Sequence, residues 1–500
     1  MDRTTKKRMI DTFEVKGKWF LPESSSDKLD GILRYSPHEI MLDLLGTFYD
    51  PFKLNNVLNG NEYPTKLKIH GISEYGEFFT LFDCIPSKIQ LNASGFDTAT
   101  YSVARFYVGT QFIEDENRNC VNNASFSFTN LDAWRNQPIV QNHTSQDYRK
   151  TECIIDLDSP KCSQAQISIP SAELVLSEDF MWSLKYPKDF FLQERTEIIV
   201  NRFYRIASST DKLLSPQTTL NYIHHLRRLL ALMIGKAMYF SYIDVNLSNI
   251  TDHSRESSSN QTRCRLFFKQ VGDVTSVKHL SPHTPGCMLL NRSDIDDNID
   301  YIFNCWFEDQ EKIGECVNAF ISDLYLPAYI ENQFLNISRG IESYHRFFAE
   351  DRSESQTAEP EKPEFLADYE KISSYIESAI SEENRNYFFQ KIQYKDEMNF
   401  RKRLNCLLKL APSKLITCLW GDLSSSKRGK IVSTIVETRN YYTHRDEKEK
   451  YPNMVASSPE LIRLIDRISI LLQFFCLTQI GVNPEIVTQR LIDAFTRKNL

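Results

Sequence analysis

The sequence predicts an α+β protein: a β-rich N-terminal region, a mixed middle region and an all-α C-terminal helical bundle. Three observations carry this reading. Short runs rich in Phe, Tyr, Val and Ile, broken by Gly, Pro, Asn and Asp, fill residues 1–165. Between 166 and 318, strand-like and helix-like patterns mix. From 319 to 500, apolar residues recur at the i, i+3, i+4 spacing of amphipathic helices. These ranges are the expected domains, the second a continuation of the first. A chain of 500 residues is long enough for two or three domains, and 41% hydrophobic and 12% aromatic residues suffice to fill their cores.

In order along the chain, FEVKGKWFLPE, GILRYSP, IMLDLLGTF, TLFDCIPSKIQL, TYSVARFYVGTQF and ASFSFTN are the expected strands of an antiparallel sandwich or barrel. ISIPSAELVLS reads as a further strand. Residues 215–240 read as one long helix opened by Pro216. The polar stretch 251–263 is expected to be an exposed loop, and 351–365 a charged, Pro-containing break. One or two helices are expected over 317–350. Others follow at about 366–380, 382–393, 396–410, 427–445, 458–482 and 484–497.

Composition narrows the function classes. A formal charge of −7 argues against a protein that is basic all over, so a nucleic-acid site has to be a local patch. The N-terminus MDRTTKKRMIDTFEV is charged and has no apolar signal core, and no apolar run approaches the roughly 20 residues of a membrane span. The eleven cysteines are scattered and odd in number, which suits a cytoplasmic protein with reduced thiols and no membrane partner. Cys264, His279, His283, Cys287 and Cys305 are residue types that bind zinc, but no tight Cys-x-x-Cys pair accompanies them and Cys305 sits in apolar YIFNCWF. Core cysteines are the competing reading, and no metal or other cofactor is expected. No Gly-x-x-x-x-Gly-Lys-Ser/Thr phosphate loop occurs, which argues against an NTPase. His224 and His225 are adjacent on a helix and diverge, so they are not a ligand pair.

The stretch ETRNYYTHRDE, Glu437–Glu447, carries the chemistry. On a helix, Asn440 and His444 are i, i+4 and share a face, while Arg439 and His444 lie about 140° apart. The set suits cleavage of an RNA phosphodiester. His444 can take the proton of a 2′-hydroxyl or protonate the leaving oxygen. Arg439 can hold the phosphate through two hydrogen bonds, and Asn440 can orient either. The competing reading makes His444 a helix-end residue favouring the dipole and pairs Arg439 with Glu437 or Glu447 on the surface. Residues 391–430 hold ten Lys/Arg and three acids, a local excess of +7 in an acidic chain. Arg401, Lys402, Arg403, Lys427, Arg428 and Lys430 are therefore the candidate RNA-binding residues. A solvated helix face would carry the same charges.

Arg439-Asn440-Tyr441-Tyr442-Thr443-His444, late in a helical domain, resembles the Arg-x(4–6)-His signature of the HEPN superfamily. FLNISRGIESYHRFF resembles the first helix of the HEPN domain in ApeA-type defence proteins. Gly17-Lys18-Trp19-Phe20-Leu21-Pro22 and Gly31-Ile32-Leu33-Arg34-Tyr35-Ser36-Pro37 resemble the opening of the ApeA N-terminal domain. Gly76-Glu77-Phe78-Phe79-Thr80-Leu81 and Phe128-Thr129-Asn130-Leu131-Asp132-Ala133-Trp134 continue it. The resemblance implies a metal-independent ribonuclease of abortive-infection defence against phage that leaves a cyclic phosphate, with tRNA among the candidate targets. It implies a homodimer through the helical domain, with Arg and His of two protomers facing each other, and a phage-derived trigger sensed by the N-terminal region. Glu342 is expected either to support the site or, more simply, to serve packing or pair with Arg346. The alternative is a non-catalytic HEPN module that binds nucleotide or dimerises beside a ligand-sensing β domain.

Overall fold

The computed structural model describes residues 3–48, 66–92, 94–135, 140–144, 151–155, 164–169, 172–185, 197–210, 212–248, 262–274, 288–350, 363–392 and 398–498. Residues 251–261 and 351–362, most of the expected loop and break, lie outside this set, as do His279, His283, Cys287, Lys395, Asp396 and Glu397. The chain divides into two compact units, 1–308 and 309–500.

The described strands of the first unit are β1 (Phe13–Phe20), β2 (Leu29–Tyr35), β3 (Ile40–Leu45), β4 (Leu67–Ser73), β5 (Phe78–Gln90), β6 (Thr98–Ser102), β7 (Arg105–Gly109), β8 (Val121–Phe128), β9 (Val140–Thr144), β10 (Thr151–Ile155), β11 (Gln164–Ile169), β12 (Ala172–Lys185), β13 (Glu197–Ser208), β14 (Phe240–Leu247) and β15 (Thr262–Phe268). Thirteen form one sheet in the order β11-β12-β13-β8-β14-β15-β7-β5-β4-β1-β2-β3-β6, and β9 pairs with β10.

The long strand β5 closes part of this sheet. One edge of residues 78–84 pairs with β4; the other edge pairs with β7 over 78–82 and with β6 over 85–90. Since β6 also pairs with β3, the strands β5-β4-β1-β2-β3-β6 close into a barrel, and β7 leads the remaining strands away as an open sheet. The hand-over falls beside Asp83, which sits at φ 53, and is followed by a register shift between Pro86 and Lys88. Irregularities of this kind bend a strand and re-aim its edges. Trp19, fully buried, lies across from Gly71, where a Cβ would enter the indole ring.

The expected boundary at 165/166 falls inside β11, so the first two expected segments share one sheet. Strand patterns mark which residues alternate but not which strands pair across long separations. The described α-helices of this unit are α1 (Leu131–Arg135), α2 (Pro216–Ile234) and α3 (Ile299–Glu308). Helix α2 starts as expected, with the Ser215 hydroxyl accepting from the Thr218 amide, but stops six residues short of 240. Gly235 takes the left-handed conformation at φ 73 that ends a helix, and Phe240 already opens β14.

The second unit is helical: α4 (Gln310–Tyr325), α5 (Ile330–Tyr344), α6 (Pro363–Ala379), α7 (Glu382–Ile392), α8 (Phe400–Leu410), α9 (Ser413–Trp420), α10 (Ser425–His444), α11 (Ser458–Gln479) and α12 (Pro484–Lys498). It begins at 309 rather than 319. Pro327 lies in the break between α4 and α5, where a helix cannot continue without losing a hydrogen bond. Helix α11 buries Leu461, Leu464, Ile468, Leu471 and Leu472. It packs along α5, whose Gly340 lets Leu472 and Ala319 approach closely. No described helix is long and apolar enough to cross a membrane.

Candidate active site

Helix α10 forms because Ser424 caps it, its hydroxyl accepting from the Lys427 amide at 3.3 Å, and because Val432, Ile435 and Val436 turn one face to the core. Only four of its twenty residues are buried. It ends where Arg445 takes the left-handed conformation at φ 57, its guanidinium over the rings of Tyr441 and Tyr442. His444 is the last helical residue and is exposed.

Arg439 points the other way. Its guanidinium donates to Glu342 of α5 at 2.8 Å and lies over the Phe400 ring of α8, 4.9 Å from the centroid. Glu342 keeps a looser pair with Arg346 at 3.9 Å. The expectation that Glu342 belongs chiefly to Arg346 is thus corrected: the Arg439 bond is the shorter by more than an ångström. The expected surface pairing of Arg439 with Glu437 or Glu447 also fails. Glu437 accepts from the Asn453 amide and side chain at 2.7 and 2.9 Å, and Glu447 is exposed. The Arg439–Glu342 pair is about a third and a fifth exposed, so it is screened and contributes about 1 kcal/mol.

The segment after α10 is fastened back along it. Thr438 accepts from the Val455 amide at 3.0 Å, and the Tyr442 hydroxyl donates to the Val455 carbonyl. This segment brings Arg445, Lys448 and Lys450 close in sequence to His444. Asn440 is half-buried. Arg439, Asn440 and His444 therefore sit on one helix as expected, but no hydrogen bond or ion pair joins Arg439 to His444 among the described residues.

Of the six expected RNA-binding residues, Arg401, Lys402, Lys427 and Lys430 are exposed and Arg428 is half-buried. Arg401 donates to the Ser433 hydroxyl at 2.8 Å, on the same face of α10 as Asn440. Arg403 departs from the expectation. It is 2% exposed and donates to the Met398 carbonyl at 2.7 Å, to His345 Nδ1 at 3.3 Å and to Glu350 at 3.1 Å. It belongs to the interior, not to an RNA surface. His345, fully buried, opens the π-helical turn His345–Ala349 that continues α5. Burial, and after it the charge of Arg403, hold the His345 imidazole down at about 4 against the opposing pull of Glu350. It is therefore neutral near pH 7 and accepts from Arg403.

Cys264 is buried in β15 and Cys305 half-buried in α3; no cluster of three His, Cys, Asp or Glu fit to hold a metal exists among the described residues. His224 packs on Phe240, whereas His225 bonds the Trp306 carbonyl at 3.0 Å. Phe400, at the start of α8, gave no hint in the sequence that its ring would lie under the Arg439 guanidinium.

These features define a class: a chain whose β-barrel region precedes a helical unit with Arg-Asn-x-x-x-His at the end of a half-exposed helix. A family model described as ApeA N-terminal domain 1 matches residues 14–306, and one described as Apea-like HEPN matches residues 335–486. The chain belongs to the ApeA family. Its ApeA-like HEPN domain supports a HEPN-type nuclease role in anti-phage defence. No match was found among curated proteins or among solved structures.

Proposed function

We propose that this protein is a metal-independent HEPN endoribonuclease of abortive-infection defence that cuts RNA, with tRNA among its candidate targets. Arg439, Asn440 and His444 act on the substrate, and the N-terminal region senses a phage-derived trigger. The observation that carries the reading is the arrangement on α10: an exposed imidazole at its end, one and a half turns from a guanidinium held by a single acid. His444 takes the proton of the 2′-hydroxyl. The 2′-oxygen bonds to phosphorus, the bond to the 5′-oxygen breaks, and that oxygen takes a proton from a second imidazole or from water. The product is a 2′,3′-cyclic phosphate. Arg439 stabilises charge on the equatorial oxygens, exchanging or sharing Glu342, and Asn440 orients phosphate or imidazole. Because Arg439 and His444 diverge by about 140°, a second copy related by a two-fold axis completes the site.

The test is incubation of the purified protein with total RNA in EDTA, followed by mapping of the cut ends. Cyclic-phosphate ends are expected in EDTA, a DNA copy is expected to stay intact, and His444→Ala is expected to lose about 10²-fold or more in rate while remaining folded. Full cleavage by the folded His444→Ala protein overturns the assignment, and activity restored only by Mg²⁺ requires another mechanism. The bond that occupies Arg439 favours a second reading, a helical unit that only dimerises or binds nucleotide beside a ligand-sensing β region. RNA left intact under every condition, including with the trigger present, would establish it.

A further inference from the structure

A separate recess lies against the first turns of α10, on a different face from Arg439. It encloses about 300 Å³. Trp420, at the end of α9, forms one wall; Lys427 and Lys430 of α10 and Arg467 of α11 form the others; Ile431 and Leu464 supply apolar contact. No carboxylate is among its described lining residues. The buried Nε1 of Trp420 and Nε of Arg467 have no hydrogen-bond partner. Burial, and behind it the like charge of Arg463, push Arg467 below the ordinary guanidinium range. Three cations therefore converge beside apolar surface with no carboxylate among the described lining residues to neutralise them, and the N-terminal end of α10 adds its positive dipole.

We propose that this recess binds a nucleoside phosphate, the indole of Trp420 stacking on the base and Lys427, Lys430 and Arg467 holding the phosphate. A simple anion would leave the indole and the Ile431–Leu464 surface unused, and an apolar ligand would leave the cations unpaired. A nucleotide uses both, as aromatic platforms with flanking cations do in single-strand recognition. The occupant is a nucleotide of the RNA strand being cut, a step that rests on the ribonuclease reading. Lys430 stands fourteen residues before His444, about 21 Å along the helix axis, and Arg401 at Ser433 lies between them. Glu437, its carboxylate held by Asn453, stands on the same face between them, so the cations gather at the first turns of α10.

The test uses the full chain carrying His444→Ala, so that RNA stays intact during titration. Calorimetry is run with AMP, with adenosine and with a single-stranded RNA oligonucleotide. Lys427→Gln/Lys430→Gln removes two exposed charges and leaves the core untouched; Arg467→Gln is added with a melting curve as its control. AMP is expected to bind more tightly than adenosine and to weaken about tenfold per lost contact. RNA affinity is expected to fall too, with a salt slope reduced by about 1.4 for the two lysines. Weakened AMP with unchanged RNA binding supports the recess and makes a free nucleotide its occupant. Unchanged binding of both in the double variant, or no binding of either by the parent, overturns the proposal. Cleavage is read separately on the chain with His444 intact. A chain that cuts nothing under every condition, including with the trigger present, but loses AMP in the variants refutes the ribonuclease reading and leaves the recess standing.

Discussion

Arg401 and Arg403 stand two residues apart, and the helix sends them to opposite duties. Arg401 is exposed, whereas Arg403 is enclosed with His345 and Glu350. Arg403→Ala is expected to destabilise the helical unit by about 3 kcal/mol, because it strands the fully buried His345 and empties an enclosed site, and calorimetric melting checks this. Arg401→Glu/Lys402→Glu is expected to leave the melting temperature unchanged and to weaken RNA binding. If Arg403→Ala melts like the parent and only RNA affinity falls, the interior role given to Arg403 is wrong. The sequence held a clue to this split. Phe400, Arg403, Leu404 and Leu407 are spaced i, i+3, i+4, i+7, which puts Arg403 on the apolar stripe of α8. Counting charges along the chain hid it.

At the scale of the element, β1 and β4 show how a barrel wall depends on one missing side chain. Trp19 fills the space over Gly71, so Gly71→Ala is expected to cost about 2 kcal/mol or more through overpacking. Its melting transition should recover in part when Trp19→Phe is added, and the non-additivity of the pair is the readout. Additive losses in this cycle would mean that the indole does not press on Gly71. The helical elements were largely legible: α7, α10 and α12 lie within two residues of their expected bounds. The end of α2 was less so, because Gly235 stops the helix locally while apolar periodicity runs on past it.

For the whole molecule, four largely buried histidines among the described residues contribute to the response to acid. Burial holds His70 at about 4, His224 at about 3, His225 at about 4 and His345 at about 4. The unfolded chain binds these protons near 6.5, the folded chain only some two or more units lower, so acid favours unfolding. Their contribution to stability is complete above about pH 6.5 and is lost as the pH falls toward 4, on the order of 2–3 kcal/mol for each fully buried ring. Three of the four lie in residues 1–308 and one in 309–500, so the first unit is expected to lose stability more steeply in acid. Melting curves from pH 7.5 to 4.5, assigned to each unit by hydrogen exchange, check the order. The proposed composite site makes a second expectation. Light scattering should show a dimer under conditions that support cleavage, and specific activity should drop on dilution. A monomer whose rate stays linear in concentration down to nanomolar protein excludes it.

The sequence by itself determined the α+β class, the helical character of the C-terminal half, the placement of Arg439, Asn440 and His444 on one helix and the basic excess before them. These follow from local periodicity and residue type, which neighbours in the chain fix. Only the tertiary structure decided that β5 closes a barrel, that Arg439 is held by Glu342 ninety-seven residues away, that Arg403 is interior and that Trp420 and Arg467 converge on Lys427 and Lys430. Each of these joins residues far apart in the chain. Their pairing is set by how whole elements pack, and no local spacing encodes it.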